Sequence, residues 1–286
     1  MPNYLVINGT VTEEEKAVIS VLDHGFLYGD GLFTTIRVEA GRPLWFDDHW
    51  QRLCQQATVM HMPIPWEKKE VLNWLLAGLK ANGLVDAYVR VTVSRGQGPL
   101  GLDFSQCKLP NCIVYSKPLP AHIEERQKMG IKAGILSGRH WGKLWPGAGL
   151  KSLNFLNQVL AFPEMNSKGW QEGVYLTSTD HVAEGTVSNI FWFKDGILFT
   201  PSLETGILNG IMRQKVIEMA RMQGITIQAG LYYQEALLQA DEIFITNSIS
   251  EIVPIVELNG QSIGKGVRGD LVQRLLLELK NFKKNC

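Results

Sequence analysis

Alternating apolar and polar residues predict strands in two parts of this 286-residue chain, and apolar residues at helical spacing predict helices beside them. The predicted strands are residues 4–9, 18–22, 32–38, 43–46, 87–94, 111–116, 130–136, 173–177, 181–193, 197–200, 225–229 and 243–246. The predicted helices are residues 47–57, 67–81, 151–161, 211–222, 234–240 and 267–282. Strands and helices mix without regular strand–helix–strand alternation, which predicts two α+β domains.

The clearest break in regular structure is the stretch Lys117-Pro118-Leu119-Pro120, because two prolines so close together interrupt both helices and strands. We therefore expect an N-terminal α+β domain at residues 1–117, a linker at 118–122 and a C-terminal α+β domain at 123–286. The chain contains no repeat of fixed period and no low-complexity segment.

The charges of the chain balance, with 28 Lys and Arg residues against 28 Asp and Glu residues. This balance disfavours binding to nucleic acid or to an anionic membrane. The pattern includes no apolar run of membrane-spanning length and no signal-peptide pattern. The four cysteines form no CxxC pair, so we expect reduced thiols in a cytoplasmic protein; they are Cys54, Cys107, Cys112 and Cys286.

The stretch with most chemical interest surrounds Lys151, which follows Gly147–Gly149 and precedes the helically spaced Leu153 and Leu156. A lone lysine at such a join is more often a surface residue. Other familiar sites have no matching pattern: there is no phosphate-binding P-loop, no zinc HExxH, no GxSxG elbow and no metal-ligand spacing among the histidines. We therefore expect no metal site.

The residues that remain match the needs of pyridoxal phosphate (PLP), which requires a lysine, a carboxylate for the ring nitrogen and a phosphate site at a helix N-terminus. Glu184 is the candidate carboxylate, Arg52 the candidate cation and Ser248 a candidate hydroxyl. The backbone N–H groups of Ile211 and Met212 begin a predicted helix and are the phosphate candidates. Taken singly, each has an ordinary structural explanation, and only their joint occurrence favours a cofactor site.

Five stretches together make the chain resemble the class IV aminotransferases, the PLP fold-type IV group. They are residues 49–53, 150–154, 184–189, 208–213 and 246–251. The resemblance implies that Lys151 forms the Schiff base and that Glu184 partners the pyridine nitrogen. The residues that it implies for the phosphate are Arg52, Ser248, Ile211 and Met212. It also implies two α+β domains with PLP in the cleft between them, a small-molecule amino substrate and a homodimer.

Within this family the chain is most similar to 4-amino-4-deoxychorismate lyases. Residues 29–38 resemble the lyase form, in which Thr35 stands where aminotransferases usually place a glutamate, and residues 94–101 also resemble lyases. The D-amino-acid enzymes carry an Arg-x-His motif that binds the substrate carboxylate, and this chain lacks that motif after residue 101. The loop from Arg139 to Trp145 resembles the corresponding loop of none of these enzymes. The alternatives are a D-amino-acid or branched-chain aminotransferase and, in another class, a PLP-free binding protein on the same scaffold.

Four residues are candidates for contact with the substrate: Thr35, Asn247, the N–H of Ile249, and Arg95. Thr35 supplies a hydroxyl on a predicted strand, although an outward-facing strand threonine is an equally good interpretation. Asn247, Ile249 and Arg95 are candidates for a substrate carboxylate, and for Arg95 the alternative is a salt bridge at a strand end.

Overall fold

The structure is a computed structural model and describes residues 3–140 and 142–285. The chain divides into two compact units. The first runs to Pro120 and includes Leu150–Asn154, and the second comprises Ala121–Gly149 and the chain from Phe155 onward. Among the described residues, every helix is too short or too polar to cross a membrane.

The first unit is built on an antiparallel sheet of six strands. Its strands are β1 (Tyr4–Ile7), β2 (Thr10–Glu13), β3 (Gly31–Glu39), β4 (Arg42–Pro43), β5 (Ala87–Ser94) and β6 (Asn111–Pro118), and its α-helices are α1 (His24–Tyr28), α2 (Phe46–Val59) and α3 (Lys68–Ala81). The strand order is β2-β1-β6-β5-β3-β4.

The two faces of this sheet differ because side chains alternate along each strand. On β3, Leu32, Ile36 and Val38 are fully buried and join α2 and α3 in one hydrophobic core. Burial of each such side chain contributes about 1.5–3 kcal/mol. Phe33 and Thr35 alternate with them and therefore lie on the opposite face of the sheet.

The second unit is built on a mixed sheet of nine strands. Its strands are β7 (Ile131–Arg139), β8 (Glu172–Leu176), β9 (Val182–Gly185), β10 (Asn189–Lys194), β11 (Ile197–Pro201), β12 (Thr226–Gly230), β13 (Glu242–Asn247), β14 (Glu251–Leu258) and β15 (Gln261–Ser262). Its α-helices are α4 (Ile123–Met129), α5 (Leu156–Ser167), α6 (Ile211–Met222), α7 (Glu235–Leu238) and α8 (Asp270–Phe282). The order is β12-β11-β10-β13-β14-β7-β8-β9, and β15 pairs with β14.

Several predicted elements differ from the structure near the N-terminus. Residues 18–22 form no strand; β2 begins directly after Asn8-Gly9, because both turn residues have positive φ and a two-residue turn reverses the chain at once. Residues 24–28 form α1 instead of a loop, since the Asp23 carboxylate accepts a hydrogen bond from the Gly25 N–H and caps the helix. The strand predicted at 43–46 is instead β4 at Arg42–Pro43, so only Pro43 of the predicted range pairs with β3.

Three further differences lie in or beside the second unit. The helix predicted to begin at Lys151 begins at Leu156, and residues 150–154 are extended and belong to the first unit. This corrects the division that assigned residues 123–286 to one domain. Helix α4 and strand β14 were not predicted, and β14 is buried between β13 and β7, where continuous apolar residues hide the alternation of a strand.

The thiols of Cys54, Cys107 and Cys112 are not joined in disulfides in the described part of the chain. Cys286 lies outside the described residues.

Candidate active site

Lys151 lies on an extended segment that is hydrogen-bonded to β3. Its carbonyl accepts from the Phe33 N–H at 2.9 Å, and Ser152 forms a bridge with Leu32. The Lys151 N–H donates to Oε1 of Gln56 at 3.0 Å. These bonds fix the backbone on both sides of the lysine and leave its side chain half-buried. Lys151 is therefore positioned by long-range pairing with β3, whereas the sequence predicted a helix start.

The Lys151 amine contacts an aromatic ring that also contacts an arginine. Its Nζ lies 4.4 Å from the centre of the Phe33 ring, and the Arg90 guanidinium carbon lies 3.6 Å from the same centre. Burial lowers the pKa of the Arg90 guanidinium, an effect that Tyr88 opposes. Thr35 faces Arg90 in the register of β3 and β5, so this substrate candidate is on the same face as Phe33. The sequence analysis missed Arg90, although its alternation with Val89 and Val91 would place it there.

Arg52 is buried on α2, with 9% of its surface exposed, and it belongs to a polar cluster. It donates from Nη2 to Oγ1 of Thr34 at 3.1 Å, and that hydroxyl is 2.6 Å from Nδ1 of His49. Burial lowers the pKa of the Arg52 guanidinium to about 10. A buried guanidinium is a candidate for binding an anion. Thr34 and His49 were not predicted, since the contacts that reveal them join β3 to α2.

Arg95 does not have the geometry of a substrate-binding residue. It donates to both oxygens of the Asp30 carboxylate, from Nε at 2.5 Å and from Nη2 at 3.0 Å. It also donates to the carbonyls of Met60 and His61 at 2.7 and 3.1 Å, and its guanidinium carbon lies 4.3 Å from the centre of the Phe104 ring. These contacts occupy the guanidinium, so Arg95 joins loops within the first unit and the salt-bridge interpretation replaces the substrate candidate.

Glu184 is the last residue but one of β9, and its carboxylate accepts hydrogen bonds from two groups of the second unit and lies close to a third. Oε2 accepts from Nδ2 of Asn189 and from the Leu208 N–H, both at 3.1 Å. Oε1 lies 3.3 Å from Nε2 of His140. Arg213 is close enough for the Glu184 charge to raise the pKa of its guanidinium, although burial lowers that pKa more strongly. Glu184 is thus a carboxylate with a restrained orientation.

The helix expected to bind phosphate begins where the sequence predicted it. Helix α6 starts at Ile211, with Gly210 as its N-cap, and both Ile211 and Met212 are buried. The first N–H groups of a helix have no partner within the helix and carry partial positive charge. A Cβ on Gly210 would lie 2.2 Å from Oδ1 of Asn189, so any other residue at this N-cap would displace the Asn189 side chain.

Ser248 begins the turn after β13 and is half-buried. The neighbouring substrate candidates are engaged with each other: Oδ1 of Asn247 accepts from the Ile249 N–H at 3.0 Å and from the Ser250 N–H at 2.7 Å. The Ile249 N–H therefore stabilises this turn and does not point to a substrate carboxylate.

The predicted residues form two groups. Lys151, Arg52 and Thr35 belong to the first unit, and Glu184, Ile211, Met212 and Ser248 belong to the second. The loop from Arg139 to Trp145 contributes His140 to the second group, and Trp141 of this loop lies outside the described residues.

Comparison with known proteins places these residues in a family context. A family model described as amino-transferase class IV matches residues 31–258. The chain is 37% identical, over 98% of its length and 96% of the relative's, to a provisionally named branched-chain-amino-acid aminotransferase of Methanocaldococcus jannaschii. It is 36% identical, over 98% of its length and 95% of the relative's, to the aminodeoxychorismate lyase of Bacillus subtilis.

A solved structure of a branched-chain amino acid aminotransferase from T.th., with pyridoxamine 5'-phosphate, matches the fold with a TM-score of 0.92. The identity is 26%, and the match covers 100% of this chain and 96% of that one. The match confirms the predicted fold class.

Proposed function

Because this chain belongs to the amino-transferase class IV family, we propose that it is a PLP-dependent lyase that cleaves 4-amino-4-deoxychorismate into 4-aminobenzoate and pyruvate. The observation that carries this proposal is the face of the first sheet where the Lys151 amine and the Arg90 guanidinium contact the Phe33 ring. A cyclic substrate bearing an amine and a carboxylate needs a base and a cation, and Lys151 and Arg90, both packed on the buried Phe33 ring, supply them.

The cofactor of this family is pyridoxal 5'-phosphate, and residues of both units fit its chemical groups. Lys151 offers an amine for covalent attachment, and Glu184 offers a carboxylate held by three neighbouring groups. The N-terminus of α6 offers backbone N–H groups over which Gly210 places no side chain. When bound, the cofactor supplies an electron-accepting ring that stabilises negative charge on the substrate carbon bearing the amine.

The residues of this chain then have separate roles. The Lys151 amine takes the proton from the substrate carbon that bears the amine, as a general base. The Glu184 carboxylate would face the ring nitrogen of the cofactor and favour its protonated form. Arg52, the N–H groups of Ile211 and Met212, and the Ser248 hydroxyl bind the phosphate.

Thr35 and Arg90 are the proposed substrate-side residues of the lyase reaction. They are paired across β3 and β5, so a substrate on this face meets a hydroxyl and a cation side by side. Arg90 binds a substrate carboxylate, and Thr35 donates to an oxygen of the substrate. Removal of the proton and cleavage of the ring C–O bond release the enolpyruvyl group as its enolate, which takes up a proton to become pyruvate. The remaining ring is aromatic, and this aromatisation drives the reaction without any keto-acid acceptor.

The second candidate function is a branched-chain aminotransferase. It is favoured by the 37% identity to the Methanocaldococcus jannaschii relative, which spans nearly both chains. The same Lys151 and Glu184 serve either reaction, because both begin with removal of the same proton. The reactions differ in their second substrate, since an aminotransferase requires a keto acid and the lyase does not.

We also propose a homodimer formed through the first unit. Four large apolar side chains near α1 are strongly exposed: Val21 by 70%, Phe26 by 68%, Leu100 by 74% and Leu102 by 83%. Exposed apolar clusters of this kind mark interaction surfaces. Light scattering is expected to give twice the mass of one chain, and Phe26→Glu to shift it toward one chain. A single-chain mass for the unmodified protein at all concentrations contradicts this proposal.

The cofactor assignment is tested by absorbance and by covalent trapping. Purified protein is expected to absorb in the band of lysine-bound PLP, and Lys151→Ala to lose both this band and borohydride-trapped cofactor. Lys16→Ala is the matched control, because Lys16 is an exposed lysine paired with Glu13. A Lys151→Ala protein that still traps cofactor with borohydride refutes the assignment, and a protein that remains colourless with PLP supports a binding role without the cofactor.

The reaction is tested by incubating the PLP-loaded protein with 4-amino-4-deoxychorismate and no keto acid. Equal amounts of 4-aminobenzoate and pyruvate are expected, and Arg90→Met is expected to raise KM more than it lowers kcat. Turnover that requires 2-oxoglutarate or pyruvate, with an amino acid as donor, assigns the aminotransferase reaction instead.

A further inference from the structure

The loop before Lys151 places an imidazole against the Glu184 carboxylate. His140 follows the end of β7, and its backbone N–H donates to the Leu176 carbonyl at 2.8 Å. Its Nε2 lies 3.3 Å from Oε1 of Glu184, and the His140 side chain is 12% exposed. The sequence offered no role for this loop, and its contact with Glu184 joins positions far apart in the chain.

The hydrogen bond on the other ring nitrogen assigns the tautomer of His140. The Gly142 N–H donates to Nδ1 at 3.1 Å, so Nδ1 carries the lone pair. The remaining proton of the neutral ring is then on Nε2, the atom nearest Glu184. In this tautomer the ring atom that can donate is the one that lies 3.3 Å from Oε1 of Glu184.

The backbone around this imidazole is held by the turn that precedes α6. A Cβ on Gly206 would lie 2.5 Å from the Gly142 carbonyl carbon and 2.7 Å from the Lys143 backbone nitrogen, so the two backbones are in close contact. The Gly206 carbonyl also accepts from the Gly149 N–H at 3.0 Å. The turn that leads to the phosphate-binding helix thus fixes the loop that carries His140.

We infer that His140 is a positioning residue that restrains Oε1 of Glu184. Oε2 accepts hydrogen bonds from Asn189 and Leu208, and Nε2 of His140 is the polar atom that lies against the other oxygen, at 3.3 Å. A carboxylate held in one orientation is what a partner of the cofactor ring nitrogen requires, and His140 acts on that nitrogen through Glu184. This inference rests on the proposed role of Glu184.

The test uses the full-length protein reconstituted with PLP labelled with nitrogen-15 in its ring, because the chemical shift of this nitrogen reports its protonation. His140→Phe keeps a flat ring and removes the donor. We expect its nitrogen-15 signal to move toward that of an unprotonated pyridine, with about a tenfold loss of kcat and little change in KM, because Oε1 of Glu184 loses its polar neighbour. His140→Gln, which retains a donor, is expected to restore part of the shift.

Two further variants separate the failure of this inference from the failure of the proposed site. Glu184→Gln is expected to move the signal furthest, and an unchanged signal there refutes the proposed role of Glu184 itself. His181→Phe is the matched control, because His181 stacks on Tyr233 and bonds to Thr179. A signal that moves in Glu184→Gln but stays at the wild-type value in His140→Phe refutes the inference alone. If His140→Phe binds no cofactor, the same comparison is made with His140→Gln, whose reach differs from that of histidine and which must then give an intermediate signal.

Discussion

Glu172 provides the most direct test of how the second unit holds its site. It lies on β8 with 2% of its surface exposed. Its Oε1 accepts from the Gly173 N–H at 3.0 Å, from the Thr186 N–H at 2.9 Å and from the Thr186 hydroxyl. Its Oε2 accepts from the Ser188 hydroxyl at 2.8 Å. The carboxylate therefore holds the turn that follows Glu184.

The number of donors sets the expected loss of stability. In Glu172→Ala, the two hydroxyl groups can rotate and the Thr186 N–H keeps the Gly173 carbonyl as an acceptor at 3.0 Å, but the backbone N–H of Gly173 loses the carboxylate and cannot turn away. An unsatisfied buried group costs about 1–3 kcal/mol, so we expect a loss of roughly 1–3 kcal/mol in the free energy of unfolding. Glu172→Gln keeps an oxygen for these donors and directs its amide toward the Ser188 hydroxyl, which can accept. Its expected cost is about 1 kcal/mol or less.

The stability of the wild-type protein is also expected to depend on pH through this residue. Burial raises the pKa of the Glu172 carboxyl above its ordinary value, and its hydrogen bonds oppose this only in part. The folded state then binds more protons than the unfolded state between the two pKa values, so stability falls as pH rises through that interval. The contribution is fully present below the ordinary glutamate pKa of about 4.3 and is lost as pH passes the raised value. Glu172→Gln resembles the protonated acid and removes this dependence.

Urea unfolding at a series of pH values measures both effects, and hydrogen exchange at the Gly173 and Thr186 amides localises them. Glu13→Gln serves as the control, because Glu13 is an exposed glutamate. The reasoning is wrong if Glu172→Ala is as stable as the wild type, or if Glu172→Gln loses as much stability as Glu172→Ala.

Three other changes test separate parts of the structure. Thr34→Val removes the hydroxyl that accepts from Arg52 at 3.1 Å; we expect PLP affinity to fall about tenfold, measured by absorbance titration, and unchanged affinity contradicts this. Arg95→Met leaves the partly buried Asp30 unpaired, so we expect a loss of roughly 3–5 kcal/mol in urea unfolding; a raised KM with unchanged stability would instead restore the substrate role. Alanine in Gly206→Ala would be strained, because φ at this position is +82°. We expect the free energy of unfolding to fall by more than about 1 kcal/mol, and a gain in thermal stability would contradict this expectation.

The sequence determined most of the local structure, because local structure depends on neighbours in the chain. Strand β5 has the predicted bounds Ala87–Ser94, since its apolar residues alternate toward a core. Helix α3 ends at the predicted Ala81, and its start is fixed by the reciprocal bonds of Glu67 and Glu70 in a capping box. Helix α6 likewise spans the predicted Ile211–Met222 behind its glycine N-cap. The family and its cofactor were also predicted correctly, because the motifs that carry them are contiguous.

The extended backbone of Lys151 was decided by tertiary structure. Leu153 and Leu156 have helical spacing, yet the Leu153 N–H donates to the Gly31 carbonyl and the segment pairs with β3. A spacing pattern describes which residues face the same way if a helix forms, but it contains no information on a partner strand far away in the chain.

The groups that support the site were also decided by tertiary structure. Thr34, Glu172 and His140 have no motif of their own, and each matters through the group that it contacts: Arg52, the Thr186 turn and Glu184. A buried polar side chain must find its hydrogen-bond partner wherever the fold brings one. Candidate reactive residues can be chosen from the sequence, because the chemistry of a side chain depends on its residue type. The residues that orient them are recognised from interatomic distances, which only the folded chain establishes.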